Sequence, residues 1–178
     1  MKTIFPLMCA LGLLMTGCAG KPLPKRYSVF SAGSSAASAE LVTSPYSGLK
    51  VRMAEDLRAH AVPLRFHANG EVSAYRALTY YAPLEVALTR ALEDCTAFQR
   101  TRPEVLAIEV RDYCLVEHPD GATSALEVRV TLQARPVGAP EPPRRCTRSR
   151  TLPTDASPSI VRQAFAETLL EAYAALQH

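Results

Sequence analysis

Three groups of residues in this chain are of types that could do chemistry. The first is Cys18, which follows Thr16-Gly17 at the end of an apolar run and precedes Ala19-Gly20. A sulfur among small neighbours is accessible to a modifying enzyme, and its thiolate can take an alkyl group. The second group is three of the four other cysteines, Cys95, Cys114 and Cys146 (Cys9 lies within the apolar run ahead of Cys18), with His60, His67, His118 and His178. Metal sites need closely spaced ligands such as CxxC or HExxH, and neither pattern occurs. The four His read as surface residues, and no metal or redox centre is expected. The third group is Arg144-Arg145-Cys146-Thr147-Arg148-Ser149-Arg150, four Arg in seven residues. On a strand, Arg144, Arg148 and Arg150 share a face with Cys146, and Arg145 points the other way. One reading is a charged edge strand that blocks edge-to-edge aggregation. The other is contact with anionic lipid heads or an acidic partner surface.

Catalysis needs a convergent nucleophile, base and orienting group. The chain has no GxSxG, no P-loop and no GxGxxG, and Ser34-Ser35 have no obvious His partner. The expectation is a protein that is not an enzyme and carries no cofactor.

The setting of Cys18 fixes the compartment. Met1-Lys2-Thr3 is a short basic start, and Ile4 to Met15 is apolar apart from Gly12. That is the layout of a signal peptide, and it falls short of the ~20 residues a bilayer span needs. The ending resembles the lipobox of bacterial lipoproteins, with Met15 where Leu is more usual. In such proteins the Cys thiol receives a diacylglyceryl group, cleavage occurs before it, and the new amine is acylated, as with palmitate. Three chains anchor firmly, since each buried CH₂ contributes roughly 0.8 kcal/mol and one chain alone is marginal. Ala19-Gly20 lack the Asp that resembles an inner-membrane retention signal, so the expected location is the outer membrane, facing the periplasm.

Residues 1–17 therefore read as signal peptide, 18–26 as lipidated Cys and tether, and 27–178 as one domain. "AGKPLPKR" is Pro-rich and, extended, reaches roughly 25 Å at ~3.3 Å per residue. The chain has 178 residues and a formal net charge of +3, of which Lys2 leaves with the signal. The remaining charge of about +2 is too weak to argue for nucleic acid. Three cysteines in an oxidising compartment suggest one disulfide and one buried free thiol. Cys114 and Cys146, both on strands, are the candidate pair, although a simple meander sets them two strands apart, too far to bridge.

The elements that must position these residues follow from periodicity. Tyr27–Ser31 is a short β candidate and 49–53 alternates as a strand. "AEDLRAHA" is a helical turn or bend. Val62, Leu64 and Phe66, then Asn69-Gly70, then Val72 and Ala74 make a hairpin on a type I′ turn. Leu84, Ala87, Leu88, Ala91, Leu92 and Cys95 make one helical stripe behind Pro83. Leu106, Ile108, Val110, Cys114 and Val116 are assigned to one face of a long strand. Leu126, Val128, Val130 and Leu132 form the packed face of the next strand, with Glu127, Arg129 and Thr131 opposite. Residues 144–152 return as a third strand, and a helix opens on Ser157 as N-cap with Pro158 at N1. Lone helices among antiparallel strands predict an α+β two-layer sandwich, mainly antiparallel, with two helices on one face.

These features in order resemble the ABC-type transport auxiliary lipoprotein component family (PqiC-like). The points of likeness are Cys18, then Tyr27-Ser28-Val29-Phe30, "VRMAEDLRAHAVPLRFHANGEV", "YYAPLEVALTRALEDC", the long strand pair and the last helix. Tyr81 stands where that family typically shows Trp, and "AHAV" lacks its usual polar/aliphatic run. The resemblance implies partnership with an MCE-domain protein and an ABC permease that move lipids between membranes, this chain docking the MCE protein at the outer membrane. A lipoprotein that binds a cell-wall synthase or a secretion complex stays open as an alternative.

Overall fold

The computed structural model describes residues 26–27, 41–60, 62–80, 82–119 and 125–177. Cys18 and its tether, all of 27–31 beyond Tyr27, and His178 lie outside them. The elements in chain order are β1 (Arg26–Tyr27), β2 (Val42–Ser44), β3 (Gly48–Met53), α1 (Glu55–Arg58), β4 (Leu64–Phe66), β5 (Val72–Ala74), β6 (Thr79–Tyr80), α2 (Leu84–Asp94), β7 (Thr96–Phe98), β8 (Val105–His118), β9 (Ala125–Pro136), β10 (Arg144–Pro153) and α3 (Pro158–Gln177).

β8 is the spine of a six-stranded mixed sheet. On one side β8, β9 and β10 run as the expected antiparallel meander. On the other side two short strands share β8's length, both parallel to it: β3 along its first half and β4 along its second. The hairpin predicted around Asn69-Gly70 is β4–β5, but its turn is not type I′: Gly70 is left-handed at φ 85° and Asn69 is not, and Gly70 N donates to His67 O at 2.9 Å, so Ala68 and Asn69 are the central pair. Two small parallel pairs, β1–β6 and β2–β7, complete the described strands. The architecture is the α+β two-layer sandwich expected, with the sheet mixed because β3 and β4 pair with a strand far along the chain.

Helices α2 and α3 pack on one face, α2 over β3 and α3 over β9 and β10. The apolar stripe of α2 buries Leu84, Leu88, Ala91 and Leu92. Pro83 stands at its N-cap, where the missing N–H leaves no bond unmade. α3 begins as predicted: Ser157 O accepts from Val161 N at 3.0 Å, and Ser157 Oγ accepts from Ile160 N at 3.5 Å. Val161, Phe165, Leu169, Ala172 and Tyr173 of α3 are fully buried against Val128, Val130 and Leu132 of β9. Phe165 stacks on Tyr113, ring centroids 4.4 Å apart, and Tyr113 Oη meets Tyr80 Oη at 3.1 Å.

One sequence assignment needs correction. A β-bulge at Arg111, between Val110 and Asp112, shifts the register of β8 against β9. Before it, Leu106, Ile108 and Val110 face the helices; after it, Tyr113 and Leu115 do. The bulge reverses the parity, so Cys114 and Val116 lie on the opposite face. Ala54 N donates to Val110 O at 2.9 Å, which ends β3 at the same level and lets α1 intervene before β4.

The same parity change removes the candidate disulfide. Cys95, Cys114 and Cys146 are all free thiols. Cys114 is level with Arg129 and Cys146 with Leu132, on opposite faces of the sheet and with β9 between them. Two strand spacings of about 4.8 Å exceed the ~7 Å Cα limit for a bridge. Burial pushes the Cys114 thiol up to about 12, with Asp112 adding to the rise, so its sulfur is protonated and inert at neutral pH.

Candidate functional site

The face away from the helices is the one that α2 and α3 leave uncovered. The strand register sets its side chains in rows. The first is Arg135–Ala107–Lys50 across β9, β8 and β3. The second is Arg145–Gln133–Glu109–Arg52, running from β10 to β3. Beyond the bulge come Thr147–Thr131–Asp112, Ser149–Arg129–Cys114, and Thr151–Glu127–Val116–Phe66–Val72. The face therefore grades from cationic at the β3 end to apolar at the hairpin, where Phe66 and Val72 are exposed.

The cationic end is concave. A cleft of about 760 Å³ lies among Lys50, Arg52, Arg58, Arg111 and Arg135, with Ala107 on its floor. Arg111 pairs with Glu109 at 2.9 Å and Arg58 with Glu85 at 3.6 Å. Lys50, Arg52 and Arg135 have no ion-pair partner among the described residues, and of the lining carboxylates Glu55 alone is unpaired. Ala107 sits between Lys50 and Arg135, and its short side chain leaves the space into which both long ones can converge.

Past the bulge, the same face is self-neutralised. Glu127 accepts from Arg129 Nε at 3.0 Å and also meets His118. Burial pushes the Glu127 carboxyl up, but its bonds to Arg129 and His118 outweigh that and hold it below the ordinary carboxylate range.

The arginine cluster divides as its alternation implies. Arg144, Cys146, Arg148 and Arg150 lie on the helix side of β10, and Arg145 faces the open side. Arg150 forks between two carboxylates of α3, meeting Glu167 and donating from Nη2 to Glu171 Oε1 at 2.6 Å. It clamps the helix to the edge strand. Arg148 Nη1 donates to the carbonyl of its neighbour Thr147 at 3.2 Å, and Arg144 and Arg145 are exposed. The cluster is thus one fixed structural arginine and three solvated ones on an edge.

A chain of polar side chains that the sequence reading did not assemble lies at the hairpin. Ser73 Oγ is 2.8 Å from His67 Nε2, and His67 Nδ1 is 3.1 Å from Glu117 Oε2. Arg65 Nε donates to Glu117 Oε1 at 2.7 Å. The order hydroxyl, imidazole, carboxylate is that of a nucleophile with its base and orienter. Yet Ser73 stands mid-strand on β5, the last strand of the sheet, and lines neither the basic cleft nor its neighbour beside α1. The cues were spread over 67, 73 and 117, so only the pairing of β4 with both β5 and β8 unites them. Arg65 and His67 hydrogen bonds outweigh the rise that burial causes and keep the Glu117 carboxyl below its ordinary range.

Among the described residues no group of three or more His, Cys, Asp or Glu could hold a metal ion, and no helix is long and apolar enough to cross a membrane. No family model and no curated protein matches the chain. Among solved structures, the crystal structure of a Xanthomonas campestris protein of family DUF330 is similar, with a TM-score of 0.51 and 18% identity over 86% of this chain and 90% of that one. A crystal structure of an uncharacterized protein aligns with a TM-score of 0.43 and 13% identity over 74% of this chain and 90% of that one. At 18% identity the first likeness is one of fold.

Proposed function

We propose that this chain is a lipid-anchored outer-membrane lipoprotein, facing the periplasm, that serves as the auxiliary component of an ABC/MCE-type intermembrane lipid transport system and docks the MCE-domain protein. The observation that carries the reading is Thr16-Gly17-Cys18 closing a short apolar run behind a basic start. The fold supports it: a sandwich like that of the DUF330 protein, with helices on one sheet face and side chains of the other face free for a partner. Tethering such a module raises its effective concentration near an assembly that spans the periplasm. The protein works by binding, without a cofactor or a catalytic step.

Affinity capture of the tagged protein from native membranes after crosslinking tests this. The MCE-domain protein and the ABC permease should dominate the captured material. A cell-wall synthase or a secretion component in their place would replace the transport reading with the alternative.

The Ser73–His67–Glu117 chain favours one second reading, a serine hydrolase. Fluorophosphonate labelling of the purified protein separates the two. The binding module should show no label, with or without Ser73→Ala. Stoichiometric label on Ser73, lost in Ser73→Ala and in His67→Ala, would make the protein an enzyme.

A further inference from the structure

We propose that the cleft over Ala107 binds the phosphate headgroup of an anionic lipid, with Lys50, Arg52 and Arg135 as its anion-binding residues. The inference deepens the lipid-transport reading and rests on it for the choice of a lipid as the source of the phosphate.

Three observations carry it. The first is uncompensated charge. Among the described residues Arg111 and Arg58 are each matched to a carboxylate, whereas Lys50, Arg52 and Arg135 are matched to none, and Glu55 offsets only part of their charge. Like charges brought together without a partner repel, a cost that a bound anion removes. The second is convergence. Lys50 and Arg135 are level with each other across Ala107, and Arg52 lies one row further along β3. A larger residue at 107 would fill the space; alanine leaves a hole on a floor of paired strands. Two guanidinium forks and an ammonium suit the two free oxygens of a phosphodiester, which share its negative charge. The third is the rim. Beside the cations the cleft is walled by Val137, Ala139 and Pro143 of the β9–β10 connection, and Val137 is 53% exposed. An apolar wall next to a phosphate site gives the glycerol and first acyl carbons a surface to lie on. A free phosphate would make no use of it.

The mature lipidated chain, purified in a neutral detergent, is titrated calorimetrically with three probes: dihexanoyl phosphatidylglycerol, glycerophosphoglycerol and inorganic phosphate. The short-chain lipid should bind most tightly, by about 10-fold over its deacylated headgroup, since a few buried CH₂ groups suffice for that difference. The K50Q/R52Q/R135Q variant should weaken the lipid and its headgroup by about 10-fold or more, as expected for lost charge-assisted bonds. An R144Q/R148Q variant, two cations on the far side of β10, should leave both unchanged. Inorganic phosphate binding as tightly as the lipid would overturn the lipid assignment. Lipid binding that is absent, or equal in the triple variant and the unaltered protein, would overturn the site. If the triple variant fails to fold, the unaltered protein decides: raising salt from about 50 to about 300 mM should weaken the lipid several-fold, and an affinity indifferent to salt would overturn the proposal. Capture of the MCE partner is a separate readout. Partner binding retained with no lipid bound sinks this site alone, and lipid bound with no MCE partner sinks the transport reading alone.

Discussion

Phe165→Ala should destabilise the protein by about 3–5 kcal/mol, which is a large part of the 5–15 kcal/mol by which a domain of this kind is stable. Phe165 is fully buried on α3 and stacks on Tyr113 of β8. Removing the ring takes away its transfer free energy and opens a cavity. That cavity is slow to close, because its walls belong to the paired strands and to α3 itself, which Arg150 ties to Glu167 and Glu171. Tyr113 loses its stacking partner but keeps the Tyr80 hydroxyl at 3.1 Å. Burial pushes the Tyr80 phenol up to about 12 and the Tyr113 phenol up as well, so both stay neutral and the pair adds no pH dependence across the neutral range. Urea denaturation monitored by far-ultraviolet circular dichroism measures the loss. Ile160→Ala, on the exposed side of the same helix at 49% exposure, is the control and should change stability by no more than about 0.5 kcal/mol. A loss under about 1 kcal/mol for Phe165→Ala would mean that α3 does not cover the sheet through this residue.

Periodicity carried most of the fold. The stripes of α2 and α3, the hairpin at Asn69-Gly70 and the alternation of β9 each follow from a local pattern, and local patterns are visible in a sequence. What stayed hidden depended on pairing. Nothing near Val51 announces that β3 runs parallel to β8, more than fifty residues on. The bulge at Arg111 carries no glycine or proline mark, so simple alternation runs straight through it and puts Cys114 on the face opposite to the one it occupies. The site was hidden for the same reason. Lys50 and Arg52 sit together on β3, but Arg111 and Arg135 lie far along the chain, and the cations converge only through the register that joins β3, β8 and β9. The four-arginine run drew attention because its charges are contiguous. In the fold its Arg150 is consumed by α3, while the dispersed cations line the concave face.

Cys18→Ala should move the protein from almost wholly membrane-bound to almost wholly soluble and abolish its cellular function, while the folded domain stays intact. In the proposed reading Cys18 carries three acyl chains, and each buried CH₂ would contribute roughly 0.8 kcal/mol, so their removal would leave no comparable attachment. Among the described residues no helix is long and apolar enough to cross a membrane. The basic cleft is a weaker hold, since three cations near an anionic surface contribute only about 1 kcal/mol each and are screened by salt. Stability should be unaffected, because position 18 precedes every described element and, among the described residues, the buried apolar core begins at Tyr46. Fractionation of cells with immunodetection reads the location, and thermal unfolding of the released chain reads the fold. Two results would separate the links in the reasoning. A folded Cys18→Ala protein that still sediments with membranes and still supports function would remove lipidation from the mechanism. A soluble, folded and fully functional one would show that docking needs no anchor, and the effective-concentration argument for the tether would fail with it.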